Sequence, residues 1–291
     1  MTELTTNTQT LLLNDGHRIP QVGFGAMRVP KEGILDALNA GYRLLDTATI
    51  YKNEQDVGDA IRQSGIPREQ LFVVTKLWNT DHKRVEAALD ESLKKLGLEY
   101  VDLYLIHWPW SEIEGTDHEV YTDWTFVDTY KALQKVYKTT GKIRSLGVSN
   151  FTIAQLEQLS SDKDIDVVPA VNQIEAHPLL TQPKLMAYLE SKNILAQAYS
   201  PLGGSGNFLF KYKEVTDMAS RYGVTPAQLL ISWGVQRRTV VIPRSATRSR
   251  IESNIRTFTL KDADFEALNT LSDTYGVIRN NDTWRFTPGE E

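Results

Sequence analysis

Four residues, Asp46, Tyr51, Lys76 and His107, are of types that together could protonate a carbonyl oxygen. Asp46 lies in the β-like run RLLDTA (43–48), Tyr51 follows it by five residues, Lys76 ends LFVVTK (71–76), and His107 directly follows VDLYLI (101–106). If these runs are parallel neighbours, all four side chains meet at one rim. A phenol with an ordinary pKa of about 10 is a poor donor at neutral pH, and an adjacent ammonium lowers that value by stabilising the phenolate. A carboxylate beside the lysine keeps the ammonium charged and in place. A neutral imidazole can direct a carbonyl oxygen by hydrogen bonding to it. The set therefore suits proton transfer to an oxygen that becomes an alkoxide, and a hydride donor is the missing half.

The elements that must position these residues can be read from periodicity. Eight short aliphatic runs stand at 21–26, 43–48, 71–76, 101–106, 143–148, 168–174, 194–200 and 239–242. Amphipathic stretches lie between them, among them EGILDALNA, NEQDVGDAIRQS, DHKRVEAALDESLKKLG, FVDTYKALQKVYKTTG and TPAQLLISWGVQR. Thr225 followed by Pro226 reads as an N-cap and first helical residue, and Gly97 and Gly141 as stops. Eight strand–helix units of about 30 residues predict an α/β fold, the (β/α)₈ TIM barrel, as a single domain over 1–291. The spacing is longest after strands four and seven, 42 and 45 residues, which places extra chain at the C-terminal face, where such barrels carry their sites. LLLNDGHRI, centred on Asn14-Asp15-Gly16, predicts an N-terminal hairpin closing the barrel bottom. One helix is expected over 261–273, followed by a tail. A dinucleotide fingerprint is missing, because Gly23-Phe24-Gly25-Ala26-Met27 lacks the third glycine.

Composition removes other chemistries. The 291 residues hold 32 Lys and Arg against 37 Asp and Glu, and no cysteine, which excludes disulfides, thiolate nucleophiles and Cys-ligated metals. A net charge of −5 without a basic stripe predicts no nucleic-acid partner. With no apolar run near 18 residues, and MTELTTNTQT at the start, neither a membrane span nor a secretory signal is expected. The expected location is cytoplasmic, with the sequons at Asn150 and Asn281 unused. His17, His82, His118 and His177 are scattered, so no metal site is expected.

Seven blocks stand in order along the chain: GYRLLDTATIYKNEQDVG (41–58), VVTKLWN (73–79), LIHWP (105–109), SLGVSNF (145–151), VNQIEAHP (171–178), AYSPLG (198–203) and IPRSATRSRIESN (242–254). Together they resemble the aldo-keto reductase superfamily from about residue 10 to 275, and look closest to its branch of xylose reductases, glycerol dehydrogenases and keto-ester reductases. The resemblance implies NADPH-dependent reduction of aldehydes and ketones, with NADPH/NADP+ bound at the mouth of a barrel. Asp46, Tyr51, Lys76 and His107 match the family's catalytic tetrad, with Tyr51 as general acid. By the same matching Ser149, Asn150 and Gln173 hold the carboxamide, Tyr199 stacks on the nicotinamide, and Ser200 and Leu202 in AYSPLG join the cofactor set. The run 237–256 carries six arginines and one acid. In it Arg244, Ser245 and Arg250 match the positions that grip the 2′-phosphate, and Asn254 the adenine side. Two residues depart from the family pattern: Arg244 stands where lysine is usual, and Ser253 where an acid is usual. The charge at 244 survives, whereas the loss at 253 puts an adenine contact in doubt.

Trp78, Trp108, Trp110, Trp124 and Trp284 fall after strands three and four or in the tail, and predict an aromatic-walled substrate pocket, with Phe24, Trp108 and Trp110 nearest the carbonyl. The expected partner is a small carbonyl compound and the expected state a monomer or weak dimer. The alternatives are a cofactor-binding regulatory subunit like the potassium-channel β-subunits, which share this barrel, or a structural use as in some lens proteins. The absence of a long N-terminal extension counts against the regulatory reading.

Overall fold

In the computed structural model, which describes residues 2–204 and 206–281, all eight aliphatic runs contribute strands to one parallel sheet. These are β1 (Phe24–Gly25), β2 (Leu44–Asp46), β3 (Phe72–Leu77), β4 (Val101–Ile106), β5 (Ile143–Ser149), β6 (Val171–Glu175), β7 (Leu195–Tyr199) and β8 (Val240–Val241), paired in chain order. Every residue of β3 and β4 is buried, as required where both faces of a parallel sheet are covered. The sheet curls until its ends meet: Val22 bridges Val241, Gly23 N donates to Val241 O at 2.9 Å, and Gly25 N to Pro243 O at 3.0 Å. A curled eight-stranded parallel sheet with helices outside agrees with the expected barrel architecture.

Strand alternation sorts the core into two layers. Leu44, Phe72, Val74, Leu103, Leu105, Val171, Val240 and Ile242 form one cluster on the inner side. Leu45, Val73, Tyr104, Ile106, Val148, Ile174 and Val241 pack with the helices in the other. The helices start and stop where their punctuation dictates. Thr125, Thr152 and Thr225 each close a capping box on α4 (Phe126–Thr140), α5 (Ile153–Ser161) and α8 (Pro226–Gln236). Gly97 and Gly141 take left-handed φ of 65° and 67° after α3 (Val85–Leu96) and α4, a conformation that costs any residue with a Cβ.

Thr10–Leu12 pairs antiparallel with Arg18–Pro20, as expected of the hairpin, and sends Leu13 and Ile19 into the inner cluster. Two features differ from the sequence reading. Thr5–Thr6 pairs with Arg256–Thr257, a contact across the whole chain that local patterning does not carry. The helix expected over 261–273 is two, Asp262–Asn269 and Leu271–Tyr275, broken at Thr270, whose hydroxyl bonds back to Glu266 O at 2.9 Å.

Candidate active site

Alternation decides which side chains reach the C-terminal mouth. Counting inward positions along each strand (44, 46; 72, 74, 76; 103, 105, 107), Asp46, Lys76 and His107 share the inner face, one layer above the apolar cluster. Ser149 and Tyr199 end their strands in the same phase, and Gln173 shares it two residues before the end of β6. Tyr51 arrives from the single 3₁₀ turn Thr49–Tyr51 just after β2. A cavity of about 300 Å³ opens there, lined by Asp46, Tyr51, His107, Trp108, Ser149, Asn150, Gln173, Tyr199, Ser200, Leu202 and Arg244 among others. A cleft of about 400 Å³ opens elsewhere, lined by Arg18, Arg43, Asp102 and Arg144 among others. It holds none of the tetrad, so the smaller cavity is the candidate site.

Lys76 Nζ donates to Asp46 Oδ1 at 2.6 Å and to Thr47 O at 2.8 Å, while Gln173 Nε2 donates to Asp46 Oδ2 at 2.6 Å. Lys76 is wholly buried, and burial of such a charge is tolerated because it is paired with a carboxylate and donates also to a backbone carbonyl. Burial pushes the Asp46 carboxyl up and the Lys76 ammonium down from their ordinary values, and their mutual attraction opposes both. The ammonium lies 5.1 Å from the centre of the Tyr51 ring, which packs edge-on against His107 with centroids 5.7 Å apart.

The phenol behaves differently from the expectation. Its pKa is raised rather than lowered, first by burial and then by the Asp46 charge. The carboxylate that holds the ammonium also repels a phenolate, and the dry surroundings penalise it. Tyr51 is thus held protonated, as a proton donor must be. The His107 imidazole is pushed well below its ordinary value by burial and then by Lys76. Its Nδ1 is buried with no hydrogen-bond partner among the described residues, an arrangement that suits the neutral ring with its proton on Nε2.

A pH prediction follows for the histidines. His82, bonded through Nδ1 to Ser111 Oγ at 2.9 Å, is also lowered by burial, to about 3. A folded-state value below the unfolded one, about 6.5, contributes stability at neutral pH that is lost as pH falls below that value. The expected result is that His82 and His107 ring signals show no titration near pH 6.5 by NMR, while the melting temperature drops on acidification. A shift of either ring near 6.5 would contradict the burial argument.

The cofactor-matched residues divide into two groups. Asn150 donates through Nδ2 to His107 O at 3.0 Å and Ser149 Oγ at 3.1 Å, and accepts from the Tyr199 hydroxyl at 2.8 Å. Ser149 Oγ donates to Gln173 O at 2.9 Å. Arg244 Nη1 donates to Met27 O at 3.2 Å. Ser245, Arg250 and Asn254 are not among the cavity-lining residues: Ser245 and Arg250 meet at Thr247, and Asn254 ends the helix Arg248–Asn254. Ser245 Oγ accepts from Thr247 N at 3.1 Å, Arg250 bonds the Thr247 hydroxyl, and the buried Asn254 Oδ1 has no partner among the described residues.

Of the proposed substrate contacts, Trp108 lines the cavity and Trp78 packs edge-on against His107 with centroids 5.2 Å apart. Trp110 is half-buried just beyond Trp108 without lining the cavity, and Trp124 is tied to α4 by a 2.9 Å bond to Thr129 Oγ1. Trp284 lies outside the described residues. Phe24 requires a correction. Between Gly23 and Gly25 it takes the outer phase of β1, is 1% exposed, and packs edge-on against Tyr42 at 5.5 Å. Alternation sends the glycines inward instead; a Cβ at Gly25 would stand 3.2 Å from Ile242 O.

The wall also includes residues that sequence reading did not single out: Met27, Arg28, Asn207, Asn280 and Asn281. Position immediately after β1 was an available signal for Met27 and Arg28, since the loops after other strands were read that way. Asn280 and Asn281 come from the tail, with no local pattern to mark them. Arg28, Asn150, Ser200 and Asn207 all have left-handed φ, of 56°, 63°, 50° and 47°. Such non-glycine outliers tend to gather at sites.

The profile of the aldo/keto reductase family matches residues 26–273. The aldehyde reductase YPR1 of Saccharomyces cerevisiae is 44% identical over 296 residues, covering 95% of each chain. The glycerol 2-dehydrogenase (NADP(+)) of the same yeast is 43% identical, covering 94% of each. The methylglyoxal reductase DkgA of Escherichia coli is 42% identical over 85% of this chain and 87% of its own.

Proposed function

Because the chain belongs to the aldo/keto reductase family, we propose that it is an NADP-dependent oxidoreductase that reversibly reduces small aldehydes and ketones to alcohols. The observation that carries this reading is the buried Lys76–Asp46 pair beside a protonated Tyr51 and a neutral His107, at a mouth lined by Ser149, Asn150, Gln173 and Tyr199. The enzyme names of the relatives point the same way, and the regulatory-subunit reading gains no support from either.

The residues present fit the cofactor. Gln173 spends its amide nitrogen on Asp46, which leaves its carbonyl oxygen to accept from a carboxamide. Asn254 offers a buried, unpartnered Oδ1 suited to an amino donor. Arg244 and Arg250 are exposed guanidinium groups whose planar donors suit a phosphate. When bound, NADPH supplies the hydride.

The chain's own part is positioning and proton transfer. His107 Nε2 directs the carbonyl oxygen, and Tyr51 gives it a proton as negative charge develops there. Asp46, itself held by Gln173, anchors the Lys76 ammonium 5.1 Å from the centre of the Tyr51 ring. Trp78 and Trp108 wall the site with apolar surface that keeps bulk water away.

The test is loss of NADPH absorbance with an aromatic aldehyde, methylglyoxal, xylose, dihydroxyacetone and a β-keto ester. Turnover on at least one is expected; tight NADPH binding without turnover on any would overturn the reading. Arg250→Ala should lower the NADPH-to-NADH efficiency ratio by about 10-fold, the worth of one charge-assisted phosphate contact. An unchanged ratio would remove Arg250 from the phosphate site.

A further inference from the structure

Glu175 ends β6 in the inner phase, two residues beyond Gln173, and is wholly buried. Its Oε1 accepts from Asn280 N and Asn280 Nδ2, each at 2.8 Å, and its Oε2 from Asn281 N at 2.9 Å. His177, also wholly buried, presents Nε2 to Oε1 at 3.0 Å. Burial alone would raise this carboxyl, yet the donors outweigh it and hold it below the usual range. The arrangement solves two problems at once: tail amides with no sheet partner need an acceptor, and a buried carboxylate needs donors.

The clasped segment reaches the candidate site. Asn280 and Asn281 line the same cavity as Tyr199 and Asn150, and the Tyr199 hydroxyl donates to Asn150 Oδ1 at 2.8 Å. Ile278 N donates to Leu179 O at 2.9 Å, fixing the approach of the tail. The loop after β7 is fitted to the same segment. A Cβ at Gly204 would come within 2.8 Å of Asn280, and the Phe208 ring packs edge-on against His177 with centroids 5.5 Å apart.

We infer that Glu175 is a positioning residue for the nicotinamide end of the site: it clasps the Asn280–Asn281 backbone and so sets that segment in the cavity wall beside Tyr199 and Asn150. The inference rests on the proposed reading that Tyr199 and Asn150 hold the nicotinamide. Glutamine at 175 keeps the volume but turns an NH₂ toward N–H donors, so the clasp opens without leaving a cavity.

The test pairs Glu175→Gln with Asn281→Ala and reads two quantities: amide hydrogen exchange at 280 and 281 in the free protein, and NADPH affinity by fluorescence titration. In Glu175→Gln the amide that faces the new NH₂ should lose its protection, since glutamine keeps one acceptor oxygen where the carboxylate had two, and the NADPH Kd should rise about 10-fold. Asn281→Ala keeps the amide protection and raises the Kd by about 3-fold or more, since the backbone clasp stays and only the side chain in the cavity wall is removed. Unchanged exchange in Glu175→Gln would show that the carboxylate does not hold the tail. Lost protection with an unchanged Kd would show that the tail does not position the site. Should Glu175→Gln fail to fold, an unchanged Kd in Asn281→Ala overturns the inference on its own. Failure of the unsubstituted protein to bind NADPH would overturn the cofactor reading and the inference with it, a result distinct from either of the others.

Discussion

Tyr51→Phe is expected to lower carbonyl reduction by about 10²–10⁴-fold, the range lost with a positioned general acid, while NADPH binding stays within about 2-fold of the original. The ring survives in the variant, so its edge contact with His107 and its place beside Lys76 are kept. Only the hydroxyl proton is removed. The other acids lining the cavity are otherwise engaged: His107 is neutral with its value pushed far down, Asp46 is held by Lys76 and Gln173, and the Tyr199 hydroxyl spends its proton on Asn150 Oδ1. Steady-state turnover and fluorescence titration on the same preparation separate the two effects. Turnover within a few-fold of the original would remove Tyr51 from the mechanism. Because burial and Asp46 raise the phenol's pKa, the reductive direction finds its donor loaded at neutral pH. The oxidative direction, which needs the phenolate, should therefore gain rate as pH rises.

Lys76→Met is expected to cost both turnover and stability. The change leaves the Asp46 carboxylate buried with Gln173 as its remaining donor. Breaking a buried pair by removing one partner costs about 3–5 kcal/mol, and a melting temperature lower by roughly 5–15 °C follows for a chain of this size. The pH dependence gives the cause. An unpaired buried carboxylate has a folded-state pKa above its unfolded value, so the penalty is full at neutral pH and shrinks as pH falls through that raised value. The deficit relative to the original protein should therefore narrow in mild acid. Replacing both partners, Lys76→Met with Asp46→Leu, should recover much of the stability and none of the activity. A double variant as unstable as the single one would show that the loss is one of packing rather than charge.

How far the sequence carried depended on how local the cause was. Strand phase is local: the eight aliphatic runs all became strands, and strand ends alone put Asp46, Lys76 and His107 at one rim, whereas Ser149, Gln173 and Tyr199 were reached through the family resemblance and are found on that face in the structure. The two-residue period of a strand also shows why Phe24 was misjudged. It stands next to the mouth in sequence, but the inward positions of β1 belong to Gly23 and Gly25, which leaves the ring to pack on Tyr42. The error over the Tyr51 pKa has a different origin. Residue types predicted an ammonium that lowers it, whereas burial and the Asp46 charge, whose depth and distance spacing does not give, raise it. The tail was illegible for a third reason. Asn280 and Asn281 are tied to Glu175 across 105 and 106 residues, and nothing in the sequence near either end marks the pairing.

The measurement that tests the account most directly is the fate of a label. NADPH deuterated at the transferable C4 position is incubated with the best carbonyl substrate, and the alcohol is analysed by NMR and mass spectrometry. Reduction by direct hydride transfer, with Tyr51 supplying the proton, predicts one deuterium on the carbinol carbon for each NADPH consumed, and a hydroxyl proton drawn from solvent. An alcohol without deuterium, or NADPH bound and never consumed, would contradict it.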